Sequence, residues 1–252
     1  MVFQIRNGLL TLCHQSALSL TMLNLKLVKA ITLDLDDTLW PVWPVIERAE
    51  KALQQWLTQR APAAAAMFAD LKTRQAIREQ VSHAHPELRH NLSALRREAI
   101  RQALLHGDED PLLAEPAFDV FFAERNRVIL FDDALEGLSF LSSRFPLVAV
   151  SNGNADLERI GLGRFFQGSI SAQQFGVGKP DQRIFRAAAQ SVGVDVADVL
   201  HVGDDGALDV LGALGCGMQT VWVNRAGLVW PHAAVPHETV TTLTELCDLF
   251  RT

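Results

Sequence analysis

Asp34 and Asp36 stand one residue apart, directly after the apolar run Ala30-Ile31-Thr32-Leu33. Two acids at a strand's C-terminal end can turn toward one pocket as the backbone leaves the sheet. One can attack as a nucleophile, the other can carry a proton, and both can gather a divalent cation. Acids also follow strands as turn and helix-cap residues, so this pair alone leaves both readings open. Three further clusters extend the pattern. Leu147-Val148-Ala149-Val150 reads as a buried strand ending at Ser151-Asn152-Gly153. Val199-Leu200-His201-Val202 reads as another, ending at Gly203-Asp204-Asp205, with Asp209 beyond. Between them Gly178-Lys179-Pro180 opens a helix whose apolar face carries Ile184, Phe185, Ala188 and Ala189. In a parallel α/β sheet ligands bind beyond the carboxyl ends of the strands, where these groups would meet.

The elements that must position them fall into two kinds. Residues 22–40 and 130–252 read as a core, with a helix through Leu135, Leu138 and Leu141 leading into the Ser151 strand. From there strand, helix, strand, helix, strand implies a doubly wound parallel sheet, with Thr220-Val221-Trp222-Val223 as its last strand. Pro231 to Thr239 reads as a loop and Leu243 to Phe250 as a terminal helix. Residues 41–129 differ. Val45, Ala49, Leu53 and Leu57, then Ile77 and Val81, then Leu92, Leu95, Ala99 and Ala103, then Phe118, Phe121 and Phe122 follow helical spacing. Turn signals at Ala61-Pro62, His85-Pro86 and Gly107-Asp108 divide them into an α-helical subdomain of about four or five helices.

The ordered set of acid pair, hydroxyl, lysine and acid cluster resembles the haloacid dehalogenase (HAD) superfamily of phosphohydrolases, from about Val28 to Asn224 outside the helical insert. The resemblance implies a Rossmann-type core and a mobile helical cap that dries the site and selects substrates. It implies Asp34 as the nucleophile that forms an aspartyl-phosphate, and Asp36 as the acid that protonates the leaving oxygen and then activates water. Ser151, with backbone near Asn152, would donate to the phosphoryl group, and Lys179 would hold Asp34 ionised and pair with phosphate oxygen. Thr38 would steady the loop. Several carboxylates and a phosphate dianion in one pocket call for a cation, and Mg²⁺ suits oxygen ligands. By resemblance its ligands are the Asp34 carboxylate, the Asp36 carbonyl and Asp204, with Asp205 acting through water. Asp209 would orient the metal shell or Lys179, or face solvent; Asp37 has no assigned role.

Asp34 to Leu39, Ser151 to Asn154 and His201 to Asp205 look like the branch containing bacterial flavin-pathway phosphatases. These act on flavin mononucleotide and on 5-amino-6-(5-phospho-D-ribitylamino)uracil. The expected partner is therefore a small phosphorylated metabolite. Nucleotide monophosphates, sugar phosphates and phosphoglycolate are the alternatives. Haloacid dehalogenation and a non-catalytic binding role carry less weight, because Asp34, Asp36, Lys179 and the acidic cluster are all present; phosphomutase activity does too, because no cap signature for returning the phosphoryl group stands out.

The chain has 252 residues, 48% of them hydrophobic, and a formal charge of −6. That charge argues against nucleic-acid or anionic-membrane binding. No apolar run approaches the roughly 20 residues of a spanning helix. Cys13, Cys216 and Cys247 are odd in number and widely spaced, as expected of free thiols in a cytoplasmic protein. Met1–Thr21 has a broken apolar run, unlike a secretory leader, and reads as a dispensable extension. Oligomeric state leaves no mark. His83, His85 and His90 read as exposed cap histidines, Arg89, Arg96, Arg97 and Arg101 as a solvated helix face, and His201 as a core residue. Trp40 and Trp43 flank the hinge, placed either to pack it or to stack on a planar substrate.

Overall fold

The computed structural model describes residues 22–251; the reading of Met1–Thr21 lies outside the described residues. Six parallel strands form one sheet: β1 (Ala30–Leu33), β2 (Leu147–Ser151), β3 (Gly168–Ser171), β4 (Val199–Gly203), β5 (Gln219–Val223) and β6 (Glu238–Val240). Their spatial order is β3-β2-β1-β4-β5-β6, so the chain winds outward from β1 in both directions, as the doubly wound reading requires. Every residue of β1, β2, β4 and β5 is buried. This is why they read as continuous apolar runs with no alternation. Register aligns their ends: Leu33 lies opposite Ala149 on one side and Val202 on the other. Asp34, Ser151 and Gly203 therefore emerge on one edge of the sheet.

Two strands were not foreseen. β3 is Gly-Ser-Ile-Ser and β6 lies within the segment read mainly as loop; both are short edge strands. β3 has only Ile170 of the residue types that mark a strand and β6 is just three residues long, so each takes its conformation from a neighbour's ladder.

The insert is built of α1 (Val42–Arg60), α2 (Pro62–Ala69), α3 (Leu71–Ala84), α4 (Leu92–His106) and α5 (Ala114–Arg125). The core helices are α6 (Ala134–Ser142), the single turns α7 (Leu157–Ile160) and α8 (Ala172–Phe175), then α9 (Gln182–Ser191), α10 (Gly212–Gly215) and α11 (Leu243–Leu249). Leu138 and Leu141 of α6 and Leu243 and Leu246 of α11 join Ile31, Leu33, Leu147 and Val202 in one hydrophobic cluster. Ile184, Phe185, Ala188 and Ala189 of α9 join Ala30, Val148, Val150 and Val199 in another. Neighbouring residues of one strand thus feed opposite layers. No helix among the described residues is long and apolar enough to cross a membrane.

The insert has its own core. Ala49, Leu53 and Leu57 of α1 pack with Phe68, Ile77, Val81, Ile100, Phe118 and Phe121 in a cluster separate from both faces of the sheet. Leu53 is fully buried there. Leu53→Ala should cost about 2–5 kcal/mol in chemical denaturation through lost burial and a residual cavity. Hydrogen exchange should rise first in α1–α5.

Candidate active site

β1 ends where Asp34 enters the space between β2 and β4, its amide donating to the Val202 carbonyl at 2.9 Å. Lys179 Nζ donates to Asp34 Oδ1 and, at 2.6 Å, to Asp209 Oδ1, with all three side chains buried. Asn152 holds the lysine in place through the backbone. Its Nδ2 donates to the Lys179 carbonyl at 2.9 Å and its Oδ1 accepts from the Lys179 amide at 2.7 Å. Asn152 is thus a brace between two strand-end loops, in addition to its expected place beside the phosphate site. Ser151 Oγ sits at the end of β2 and accepts from the Gly153 amide at 2.9 Å.

Beyond β4 the chain makes a six-residue π-helical turn, Gly206–Leu211. Asp205 Oδ1 caps it, accepting from the amides of Ala207 and Leu208, each at 2.8 Å. The wider turn brings Asp209 inward, where Oδ2 accepts from the Asp205 amide at 3.0 Å. Gly203 makes room: a Cβ there would run into the Asp209 carboxyl. One ligand oxygen each of Asp34, Asp204 and Asp209 lie within 4.8 Å of one another, a grouping able to hold a metal ion. Asp209, whose role the sequence leaves open, joins this cluster, while Asp205, expected to reach the metal through water, turns its Oδ1 to the amides of its own helix. The Asp36 carboxyl lies outside it.

Charge in this pocket is unbalanced. Burial, with Asp209 and Asp204 close by, pushes Asp34 well above the usual carboxylate range while Lys179 pulls it back. Burial, then the charges of Asp209 and Asp37, raise Asp204 to about 7. Asp209 is held low despite its burial, because Lys179 and His201 both face it. Burial opposes the charge on Lys179, but Asp209 and Asp34 outweigh it and push Lys179 up. Burial lowers His201, whose ring is held between Asp209 Oδ1, 3.1 Å from Nε2, and Thr32 Oγ1, 2.8 Å from Nδ1. Carboxylates in excess of cations converge on one point, and the proton affinity of Asp34 and Asp204 is raised there, which fits a divalent cation.

Asp36 faces the other way. Trp40 Nε1 donates to its Oδ1 at 2.8 Å, and Arg125 Nη2 donates to Oδ1 and Oδ2 at 2.9 and 2.7 Å. Gly153 allows this approach, since a Cβ there would lie 2.5 Å from Asp36 Oδ2. Trp40 is fully buried, so it packs the hinge, whereas Trp43 is 68% exposed. Asp37 takes a left-handed φ of 59° and its Oδ1 accepts from the Val42 amide at 2.9 Å, fastening the start of α1. Thr38 Oγ1 donates to Asp204 Oδ1 at 3.2 Å.

A cavity of about 180 Å³ holds Asp34, Asp36, Ser151, Lys179 and Asp204. A second, of about 320 Å³, opens from the same Asp36 and Gly153 into the insert. Val42, Ile46, Leu92, Leu95 and Phe121 give it apolar walls, with Arg78, Arg96 and Arg125 as its cations. Arg96 departs from the solvated face expected of it: it pairs with half-buried Glu50 and lies 3.6 Å over the Phe121 ring. Arg97 and Arg101 pair with Glu115 and Glu98 at the surface, and His83, His85 and His90 join no metal-type cluster among the described residues. Arg125 was missed from sequence. Only its place at the end of the last insert helix could have suggested that it returns to the core.

The sequence model of the haloacid dehalogenase-like hydrolases matches residues 28–217. The chain belongs to that family. It is 33% identical over 230 residues to the Escherichia coli 5-amino-6-(5-phospho-D-ribitylamino)uracil phosphatase YigB, covering 88% of this chain and 96% of that protein. It is 35% identical over 136 residues to the phosphoserine phosphatase of Thermus thermophilus, covering 52% of this chain and 55% of that one. The crystal structure of a 2-haloacid dehalogenase from Pseudomonas syringae pv. Tomato superposes with a TM-score of 0.85 at 34% identity, covering 89% of this chain and 98% of that one. The likeness to the Escherichia coli phosphatase and to the Pseudomonas syringae structure thus spans core and helical insert alike in this HAD-like chain.

The raised Asp204 has a consequence for stability. Its folded value of about 7 lies above an ordinary 3.8, so across that window the folded protein keeps a proton that the unfolded chain has released. Stability of the metal-free protein therefore falls as pH rises through the window. Asp204→Asn removes this titration. The stability of the variant relative to the parent should increase from acidic to neutral pH in urea denaturation with chelator, and a pH-independent difference would contradict it.

Proposed function

We propose that the protein is a Mg²⁺-dependent phosphatase that hydrolyses a small phosphomonoester metabolite through an aspartyl-phosphate. Flavin mononucleotide or 5-amino-6-(5-phospho-D-ribitylamino)uracil is its leading substrate. The observation that carries this reading is the convergence of Asp34, Lys179, Asp204 and Asp209 in one buried pocket with Asp36 on its rim.

Asp34 attacks phosphorus in line while Asp36 gives its proton to the departing ester oxygen. Asp36 then takes a proton from the water that attacks phosphorus, releasing phosphate and regenerating Asp34. Lys179 and Ser151 stabilise charge on the transferring oxygens. Asp34, Asp204 and Asp209 supply the carboxylates that would hold Mg²⁺, which when bound offsets the charge of the phosphate. Asp209 is braced by Lys179 and His201, so it orders this group even where it does not ligate. The cavity under the insert, which begins at Asp36, gives the leaving group a site beside the proton donor. The flavin-pathway assignment is supported by the near full-length likeness to the Escherichia coli phosphatase.

The likeness to a 2-haloacid dehalogenase favours a second reading. Halide displacement uses the same nucleophile, but a halide needs no proton on leaving and no cation to offset a phosphate. Chloride release from 2-chloropropionate without metal, with no phosphate release from any ester, would establish it. The expected result is the reverse: Mg²⁺-dependent phosphate release led by the two flavin-pathway substrates in a metabolite panel, and abolished by chelator. Asp34→Asn should lower turnover by a factor on the order of 10³ or more with folding retained.

A further inference from the structure

Arg125 Nη1 is the one buried side-chain nitrogen or oxygen among the described residues that has no hydrogen-bond partner. The rest of that guanidinium is fully committed. Nη2 donates to both oxygens of Asp36, and Nε donates to Asn154 Oδ1 at 3.2 Å. Asn154 is held in turn by its Nδ2 donating to Ser93 Oγ of α4 at 3.1 Å. The arginine is 1% exposed and lines the cavity that runs from Asp36 into the insert. A buried guanidinium donor without a partner carries its desolvation cost uncompensated. A group so tightly oriented on two sides, with its third side unmatched beside a cavity, is arranged to receive an acceptor.

The proposed reaction fixes where that acceptor must be. Asp36 reaches the ester oxygen, so the first carbons of the leaving group lie next to Asp36 and therefore next to Arg125. We infer that Arg125 is a substrate-contacting residue whose Nη1 donates to an oxygen on the carbon adjoining the phosphoester carbon. The class of substrate selected is a polyol-type phosphomonoester, with a hydroxyl vicinal to the phosphorylated position. One guanidinium then reads the leaving group and aims the acid at its ester oxygen, linking specificity to proton delivery. This inference rests on the phosphatase reading and adds to it a residue and a chemical feature. The apolar walls at Leu92, Leu95 and Phe121 would receive what lies beyond the hydroxylated carbons.

The test compares sn-glycerol 3-phosphate with 1,3-propanediol monophosphate, which differ only in the vicinal hydroxyl, with p-nitrophenyl phosphate as a control. The parent enzyme should favour the hydroxylated ester in kcat/KM by about ten-fold or more, the worth of one charge-assisted hydrogen bond. Arg125→Met should lower kcat on every ester, because Asp36 is released, and should also bring the ratio of the matched pair close to one. Arg125→Lys keeps a charge beside Asp36 without the fork. It should recover part of kcat while the ratio stays near one, and it guards against a folding defect in the first variant. Turnover of p-nitrophenyl phosphate without preference in the parent overturns the role of Arg125 and leaves the phosphatase reading standing. So does a ratio unchanged in both variants. No phosphate release from any of the three esters overturns the role of Arg125, and overturns the phosphatase reading as well where flavin mononucleotide and the metabolite panel are also left intact.

Discussion

Lys179 lies buried between Asp34 and Asp209, and most of the catalytic edge can be derived from the need to keep it there. A lone ammonium in that position would be expelled by its desolvation cost; two carboxylates hold it charged. Each carboxylate then needs its own support. Asp34 is fixed by the β1–β4 ladder. Asp209 is reached only by widening the helix after β4 into a π turn and by leaving Gly203 without a side chain. The lysine's backbone is clamped by Asn152, which ties the end of β2 to the start of α9. One buried cation thus sets the relative positions of three strand ends. It still leaves the pocket short of positive charge, which is the electrostatic motive for a divalent ion beside Asp204.

Asp36 answers to a different constraint. It is two residues from Asp34, yet its carboxyl is held by Trp40 and Arg125, on the side facing the insert. The hinge enforces this separation. Asp37 adopts a positive φ and caps α1, so the chain turns sharply into the insert directly after the acid pair. Arg125 closes the circuit from the insert's last helix. Both crossings between core and insert therefore meet at one carboxyl, and a change in their relative placement would be felt first at Asp36. Two acids of one motif acquire separate tasks because one belongs to the sheet edge and the other to the hinge.

Much of this was legible in the sequence, and what was not has identifiable causes. The four inner strands announced themselves because burial on both faces demands unbroken apolar runs, and their ends marked the site. The edge strands β3 and β6 did not, since Gly168–Ser171 and Glu238–Val240 owe their form to a partner's hydrogen bonds. Asp34, Lys179 and Asp204 were found through local motif context. That context puts Asp205 at the metal through water and leaves Asp209 between the metal shell, Lys179 and solvent; it could not do better, because a single π turn shifts which side chain points inward. Arg96 and Arg125 share the composition of any charged helix. Only tertiary packing puts one over Phe121 and the other against Asp36.

The likeness to both phosphatases and a dehalogenase locates where function diverges within one fold. Nucleophile, lysine and hydroxyl serve any reaction that begins with carboxylate attack on an electrophile. They cannot tell phosphorus from carbon. What differs is the departing group: an alkoxide needs a proton and a halide does not, and a phosphoryl group brings charge that a haloacid carbon lacks. The discriminating residues must therefore lie on the leaving-group side and at the ion cluster. Here that side carries an acid held in a fixed orientation by Trp40 and a cationic clamp, beside a cavity of about 320 Å³. The ion cluster carries carboxylates in excess of cations. Both features impose electrostatic costs that halide displacement would give no reason to bear. Phosphate-ester hydrolysis makes use of each.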